Sequence, residues 1–124
     1  ENLIKWSPFP ENCWVGVSTP DEHQFDKAMK YLPYIQAKVR FISIEPMLSR
    51  ILTTPGQLER YIDWLIIGQQ TPPKASTMPK IEWVREIVNA ADKAGVKVFL
   101  KDNLKLLLQS EGYGQASWRQ DMPE

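Results

Sequence analysis

The chain of 124 residues has the length of one ordinary domain, and its 43 % hydrophobic and 24 % charged residues are typical of a globular protein. Its formal net charge of zero gives no bulk attraction to nucleic acid or to an anionic membrane, and its apolar runs are too short to span a bilayer. One cysteine and one histidine provide no Cys/His metal site, so we expect a cytoplasmic protein without a metal ion of its own.

Four short apolar runs are predicted to be strands of a parallel sheet. These runs are Trp14–Ser18, Val39–Ile44, Trp64–Gly68 and Val96–Lys101. Three of them are apolar nearly throughout, as is usual for strands that are covered on both faces. The intervals between the runs leave room for one helix and two loops, which is the rhythm of βα units.

The segments between the strands carry helix signals. A Thr-Pro pair followed by Glu or Gln predicts helix starts capped by Thr19 and by Thr54. A third helix has an apolar stripe at helical spacing and is predicted to end at Gly95, a residue type that favours the left-handed conformation. A weaker fourth helix is predicted from Asn103 to Gln109, and residues 110–124 are predicted to form an irregular tail.

The alternation of strands and helices predicts an α/β fold of four βα units with right-handed crossovers. The parallel sheet is either a small open sheet or an arc of a partial (β/α) barrel, and we favour this half-barrel. We expect residues 1–124 to form a single domain that is a C-terminal segment of a larger protein. An arc leaves two unpaired edges, so we expect a missing N-terminal half or a homo-oligomer to cover them.

Polar side chains follow each predicted strand, and in parallel α/β folds ligands bind beyond the carboxyl ends of the strands. The candidate binding residues at these exits are Ser18, Glu45, Gln69, Gln70, Lys101, Asp102 and Asn103. We expect them to line a small-molecule pocket, and no catalytic role is assigned to any of them. Glu45 and Lys101 can instead form a structural ion pair, and Asp102 and Asn103 can instead cap the last helix.

The chain also resembles a known family. The stretches PENCWVGVST, VRFISIEPML, IDWLIIGQQ and WVREIVNAADKAGVKVFLKDNL resemble the C-terminal half of a family of uncharacterised phage-type proteins, found in bacteria, archaea and their phages. That family is similar to radical S-adenosylmethionine (SAM) enzymes. The chain departs from the family pattern after Gly68, where glutamine replaces the usual glutamate, and after Lys101, where Asp-Asn-Leu replaces Gln-Trp-Gly.

The resemblance implies that the chain contributes one wall of a SAM or substrate pocket. Lys101 would then bind the carboxylate of SAM or of an anionic substrate, and Glu45 an amine or a ribose hydroxyl. The family's cysteine triad, which could hold a [4Fe–4S] cluster, is absent here, so SAM and the cluster are implied only for a full-length protein. The alternatives are a non-catalytic binding or assembly module that forms a homo-oligomer, and a complete small hydrolytic or transferase domain acting through Glu45 and Asp102.

Overall fold

A computed structural model describes residues 5–72, 74–110 and 119–123, without the side chains of residues 106 and 110. The strands are β1 (Trp14–Ser18), β2 (Val39–Ile44), β3 (Trp64–Ile67) and β4 (Lys97–Leu100). The helices are α1 (Glu22–Tyr31), α2 (Pro55–Tyr61), α3 (Ile81–Ala94) and α4 (Lys105–Ser110), and a 3-10 turn, Asp102–Leu104, precedes α4. The predicted strands and helices are confirmed: β1 and β2 have the predicted bounds, and the other boundaries differ by at most two residues.

The four strands form one parallel sheet in the sequential order β1-β2-β3-β4. The prediction of an α/β fold with a parallel sheet is therefore confirmed, and the sheet is open rather than closed into a barrel. Sequential order is what successive right-handed βα crossovers produce, because each new strand joins the same side of the growing sheet. Such a sheet carries its helices on one face only.

The hydrophobic core lies between the helices and one face of the sheet. Strand side chains alternate between the two faces, and the strand register sets Ile42, Leu65 and Val98 side by side. These three side chains are fully buried in one cluster with Phe25 of α1 and Leu58 of α2. Burial of each such side chain stabilises the fold by about 1.5–3 kcal/mol, so this face anchors the strand ends where the candidate site lies.

The other face of the sheet carries aromatic rings instead of helices. The Trp64 ring packs edge-on against Trp14, Phe41 and Phe99, with ring centroids 5.7, 5.6 and 6.0 Å apart. Gly16 belongs to this face, where a Cβ atom would collide with the Phe41 ring. Trp14 remains 42 % exposed. We call this aromatic side the open face.

The two predicted helix caps have different outcomes. Thr54 caps α2 as predicted, because its side chain accepts from the Gln57 N–H while the Gln57 side chain accepts from the Thr54 N–H. The prediction for Thr19 is wrong. Asp21 caps α1 by accepting from the Gln24 N–H at 2.9 Å. The Thr19 N–H instead donates to the carbonyl of Ser43 at 2.9 Å, which extends the β1–β2 ladder and holds Thr19 away from the helix.

Residues 110–124 are predicted to be an irregular tail, and 111–118 of them lie outside the described residues. Ser110 ends α4, while residues 119–123 run along the outer edge of β4. The N–H of Leu100 donates to the Arg119 carbonyl at 2.7 Å, and the N–H of Asp121 donates to the Val98 carbonyl at 2.8 Å. Burial lowers the pKa of Arg119, but hydrogen bonds to the carboxylates of Asp92 and Asp121 raise it above the usual value.

Candidate functional site

Glu45 and Lys101 form an ion pair at the carboxyl end of the sheet. The Oε2 atom of Glu45 lies 2.6 Å from the Nζ atom of Lys101. Glu45 follows β2 and Lys101 follows β4, so the pair passes over the end of β3. Gly68 occupies that end, and a Cβ atom there would lie only 3.0–3.2 Å from the Glu45 side chain. The Glu45 side chain can lie over this position because Gly68 has no side chain. Gly68 therefore leaves room for the ion pair, which is a more specific role than permitting a turn.

The ion pair remains accessible from solvent. The Glu45 side chain is 27 % exposed and the Lys101 side chain is 44 % exposed. A half-exposed pair of this kind contributes about 0–1 kcal/mol to stability, because water screens the charges and two long side chains lose freedom. The pair thus contributes little to the stability of the fold, and both charged groups are accessible to a ligand.

Hydrogen bonds between Gln69 and Asn103 connect the segment after β3 to the segment after β4. The Gln69 N–H donates to Asn103 Oδ1 at 3.2 Å, and Asn103 Nδ2 donates to the Gln69 carbonyl at 2.6 Å. The Gln69 side chain also donates to the Asn103 carbonyl, and Asn103 Nδ2 donates to Thr71 Oγ1 at 3.0 Å. Gln69 is only 3 % exposed, and its buried Oε1 atom has no hydrogen-bond partner in the described part of the chain.

An open cleft of about 420 Å³ lies beside the ion pair. Its lining comprises Glu45, Thr71, Phe99, Lys101, Asp102, Asn103 and Gln120. The Asp102 side chain accepts from Gln120 Nε2 at 2.9 Å, which joins the segment after residue 118 to the cleft wall. Neither Asp102 nor Asn103 uses its side chain as a helix cap in these contacts. The cleft has one apolar wall, Phe99, and an otherwise polar rim that includes both charge signs.

Three candidates do not line this cleft: the buried Gln69, and also Ser18 and Gln70. Ser18 ends β1, is exposed and faces the same side of the sheet as Ser43, its register partner. Gln70 is partly buried, and its side chain makes no hydrogen bond to another described residue. The cleft thus brings together Glu45, Lys101, Asp102 and Asn103, but not Ser18, Gln69 or Gln70.

Sequence reasoning missed three lining residues of the cleft. Thr71 begins the proline-rich loop after β3. Its polar side chain directly follows Gln70, so the same argument from strand ends could have predicted it as a site residue. The sequence predicts that Phe99 lies in a strand, but it does not show which face of the sheet the ring occupies. That face follows from the strand register. Gln120 lies in the predicted tail, and no local pattern links it to a strand about 20 residues earlier.

The described residues include no group of three or more His, Cys, Asp or Glu side chains that could hold a metal ion. Cys13 precedes β1 and therefore lies at the amino edge of the sheet, opposite the cleft. In the described part of the chain, no helix has both the length and the apolar character needed to cross a bilayer.

The sequence model of one protein family, described as proteins of unknown function (DUF5131), matches residues 1–110. The chain belongs to this family. No curated protein and no solved structure matches it significantly. The family description names no cofactor, reaction or host, so the predicted likeness to radical SAM enzymes and to phage proteins stays a prediction.

Proposed function

We propose that the cleft at the carboxyl edge binds a small zwitterionic molecule and forms one wall of a SAM or substrate pocket in a radical-SAM-like protein. The observation that carries this proposal is the pairing of Glu45 and Lys101 across Gly68 at the mouth of the cleft. The amino-acid group of SAM carries one ammonium and one carboxylate. Glu45 accepts hydrogen bonds from the ammonium, and Lys101 donates to the carboxylate.

The energetics of the pair support ligand exchange. A ligand that inserts between Glu45 and Lys101 replaces one half-exposed ion pair by two, so no charge is left without a partner. Hydrogen bonds to charged groups contribute about 1.5–3 kcal/mol each, more than the exposed pair that is lost. The Phe99 ring lines the same cleft and offers an apolar surface to the rest of the molecule.

The residues of this chain fit SAM but do not fit a [4Fe–4S] cluster. Such clusters need several thiolate ligands, and Cys13 is the only cysteine and lies at the opposite edge of the sheet. No step is therefore assigned to a cluster on these residues. The role of this chain in the proposal is to bind and orient the zwitterion.

The test is calorimetric titration of the intact protein, expressed from its whole gene, with SAM and with free methionine, which share the amino-acid group. Glu45→Gln and Lys101→Ala should each weaken binding by about 1–3 kcal/mol if the groups touch the ligand. Glu86→Gln is the matched control, since it makes the same chemical change in another exposed ion pair, with Arg50 at 2.8 Å. It should leave the affinity unchanged.

Two outcomes would reject the proposal. One is that neither compound binds the wild-type intact protein. The other is that Glu45→Gln lowers the melting temperature while the affinity stays equal to that of the wild type, which makes the pair purely structural.

An assembly module is the second candidate function. It is favoured by the open face, where Trp14 is 42 % exposed and Phe41 is only partly buried. Exposed aromatic residues on a sheet face are typical of contact surfaces. Light scattering that shows a stable dimer would support this candidate, and a monomer at all concentrations would exclude it.

A further inference from the structure

The charges that line the cleft at the carboxyl edge do not cancel. Glu45 and Lys101 neutralise each other in their ion pair, whereas the third charged lining residue, Asp102, makes no ion pair with a described residue. Lys105 follows Asp102 by three residues, and it too makes no ion pair with Asp102. All 15 lysine and arginine residues lie within the described ranges. The lining therefore carries one negative charge that no cation of the chain neutralises by direct contact.

A neutral amide holds the Asp102 carboxylate in place. Gln120 Nε2 donates to Asp102 Oδ1 at 2.9 Å and to the Leu100 carbonyl at 3.1 Å. An amide supplies a hydrogen bond but no charge, so Gln120 orients the carboxylate without neutralising it. Asp102 is exposed, which leaves its charge accessible to a molecule in the cleft.

Phe99 adds a second feature that favours a positive charge in the cleft. Its ring lines the same cleft as Asp102. A cation that lies over an aromatic ring is attracted by the quadrupole of the ring, and a cation next to a carboxylate is attracted by its full charge. Asp102 and Phe99 therefore both stabilise an organic cation between them.

We propose that the ligand of this cleft carries a second positive charge, beyond the ammonium and the carboxylate of its amino-acid group, and that Asp102 recognises this charge. The inference rests on the proposed function, in which Glu45 binds the ammonium and Lys101 the carboxylate. With a further cation next to Asp102, each of the three charged lining residues meets an opposite charge. The sulfonium of SAM and the side-chain ammonium of a diamino acid both provide this chemistry, whereas the side chain of methionine is uncharged.

The test compares two matched pairs of ligands by calorimetric titration of the intact protein, expressed from its whole gene. SAM is compared with S-adenosylhomocysteine, and lysine with norleucine, because only the first member of each pair carries the second positive charge. The charged member should bind about two- to fivefold more tightly, as expected for a contact between exposed charges. A preference in the SAM pair alone identifies a sulfonium, and a preference in the lysine pair alone identifies a side-chain ammonium.

Asp102→Asn removes the charge but keeps an oxygen that can accept from Gln120. This variant should abolish the preference for the charged ligand and leave the affinity for the neutral ligand unchanged. A residue that only stabilised the turn before α4 would instead change the affinity for both members of a pair equally. Asp26→Asn is the matched control, since it makes the same change at an exposed position of α1 outside the cleft, and it should keep the preference.

Three outcomes would overturn this inference and leave zwitterion binding by Glu45 and Lys101 standing. They are equal affinity within both pairs, a preference that survives Asp102→Asn, and a preference that Asp26→Asn also removes. If none of the four compounds binds the intact protein, the proposed function is rejected, and the role of Asp102 falls with it.

Discussion

Gly68→Ala tests how Glu45 is held over the end of β3. A Cβ atom at position 68 would lie 3.0 Å from Cδ, 3.1 Å from Oε2 and 3.2 Å from Cγ of Glu45. Non-bonded carbon atoms prefer about 3.5–4.0 Å, so the Glu45 side chain must move by a few tenths of an ångström. Gly68 does not have a positive φ, so alanine is allowed by the backbone and the side-chain contact decides the outcome.

The expected magnitude follows from two opposing effects. Displacing Glu45 weakens its half-exposed ion pair with Lys101, which lowers the free energy of unfolding by about 0.2–1 kcal/mol. Alanine also restricts the unfolded chain, which raises the free energy of unfolding by about 0.4–1 kcal/mol. The two effects nearly cancel in the wild-type background. In a Glu45→Ala background the three close atoms are absent, so Gly68→Ala should stabilise by the full entropic amount.

The assay is urea unfolding of the wild type, both single variants and the double variant, followed by tryptophan fluorescence. Gly56→Ala is the control, because Gly56 lies in α2 and its nearest neighbouring atom would be Thr54 Oγ1 at 4.0 Å. Gly56→Ala should stabilise by about 0.5–1 kcal/mol in either background. If Gly68→Ala has the same effect with and without Glu45, within about 0.3–0.5 kcal/mol, the proposed contact does not position Glu45.

Two further predictions concern polar groups outside the cleft. Thr19→Val should raise the free energy of unfolding by about 1 kcal/mol, because a buried hydroxyl without a partner is removed. Thr54→Val should lower it by about 0.5–2 kcal/mol through loss of the α2 cap, and urea unfolding that gives both changes the same sign contradicts this difference. Hydrogen bonds from Arg50 hold the pKa of Glu86 below its usual value, so the stability from this pair is complete above about pH 4.3 and is lost as the pH falls through the folded-state pKa. The urea midpoints of wild type and Glu86→Gln should therefore differ by a constant amount near neutral pH and converge in acid, whereas a difference that persists in acid refutes the assignment.

The two Thr-Pro signatures show how far local sequence patterns reach. Thr54 and Thr19 precede the same kind of helix start, and only Thr54 is a cap. Thr54 lies in an exposed loop, where nothing competes for its backbone. The N–H of Thr19 is taken by the carbonyl of Ser43 on β2, a contact that the local sequence does not reveal. Tertiary hydrogen bonding thus overrides the capping pattern, and the helix begins later with Asp21 as its cap.

The candidate site was predictable in its location but not in its detailed arrangement. Parallel strands bring their carboxyl ends to one edge, which is enough to place Glu45 and Lys101 near each other. That their side chains meet requires β3 to lie between β2 and β4 and to end in a residue without a side chain. Gly68 satisfies this condition, but a single glycine at a strand end is too common to predict it. Gln120 could not be predicted as a site residue from the sequence, because its contact with Phe99 joins parts of the chain that are distant in sequence.

The open face has an uneven chemical character that bears on the choice between a ligand site and an assembly surface. Toward the amino ends of the strands it carries the Trp14 and Trp64 rings and the exposed Lys97, while its carboxyl end carries Ser43 and the charged pair of Glu45 and Lys101. A subunit interface is usually depleted of charged residues at its centre and polar at its rim. Lys97, the register partner of Trp64, adds an exposed charge at the amino end of β4, so aromatic and charged side chains are mixed on this part of the face. The proposed zwitterionic ligand would contact the carboxyl part of this face, where Phe99 lines the cleft together with Glu45 and Lys101.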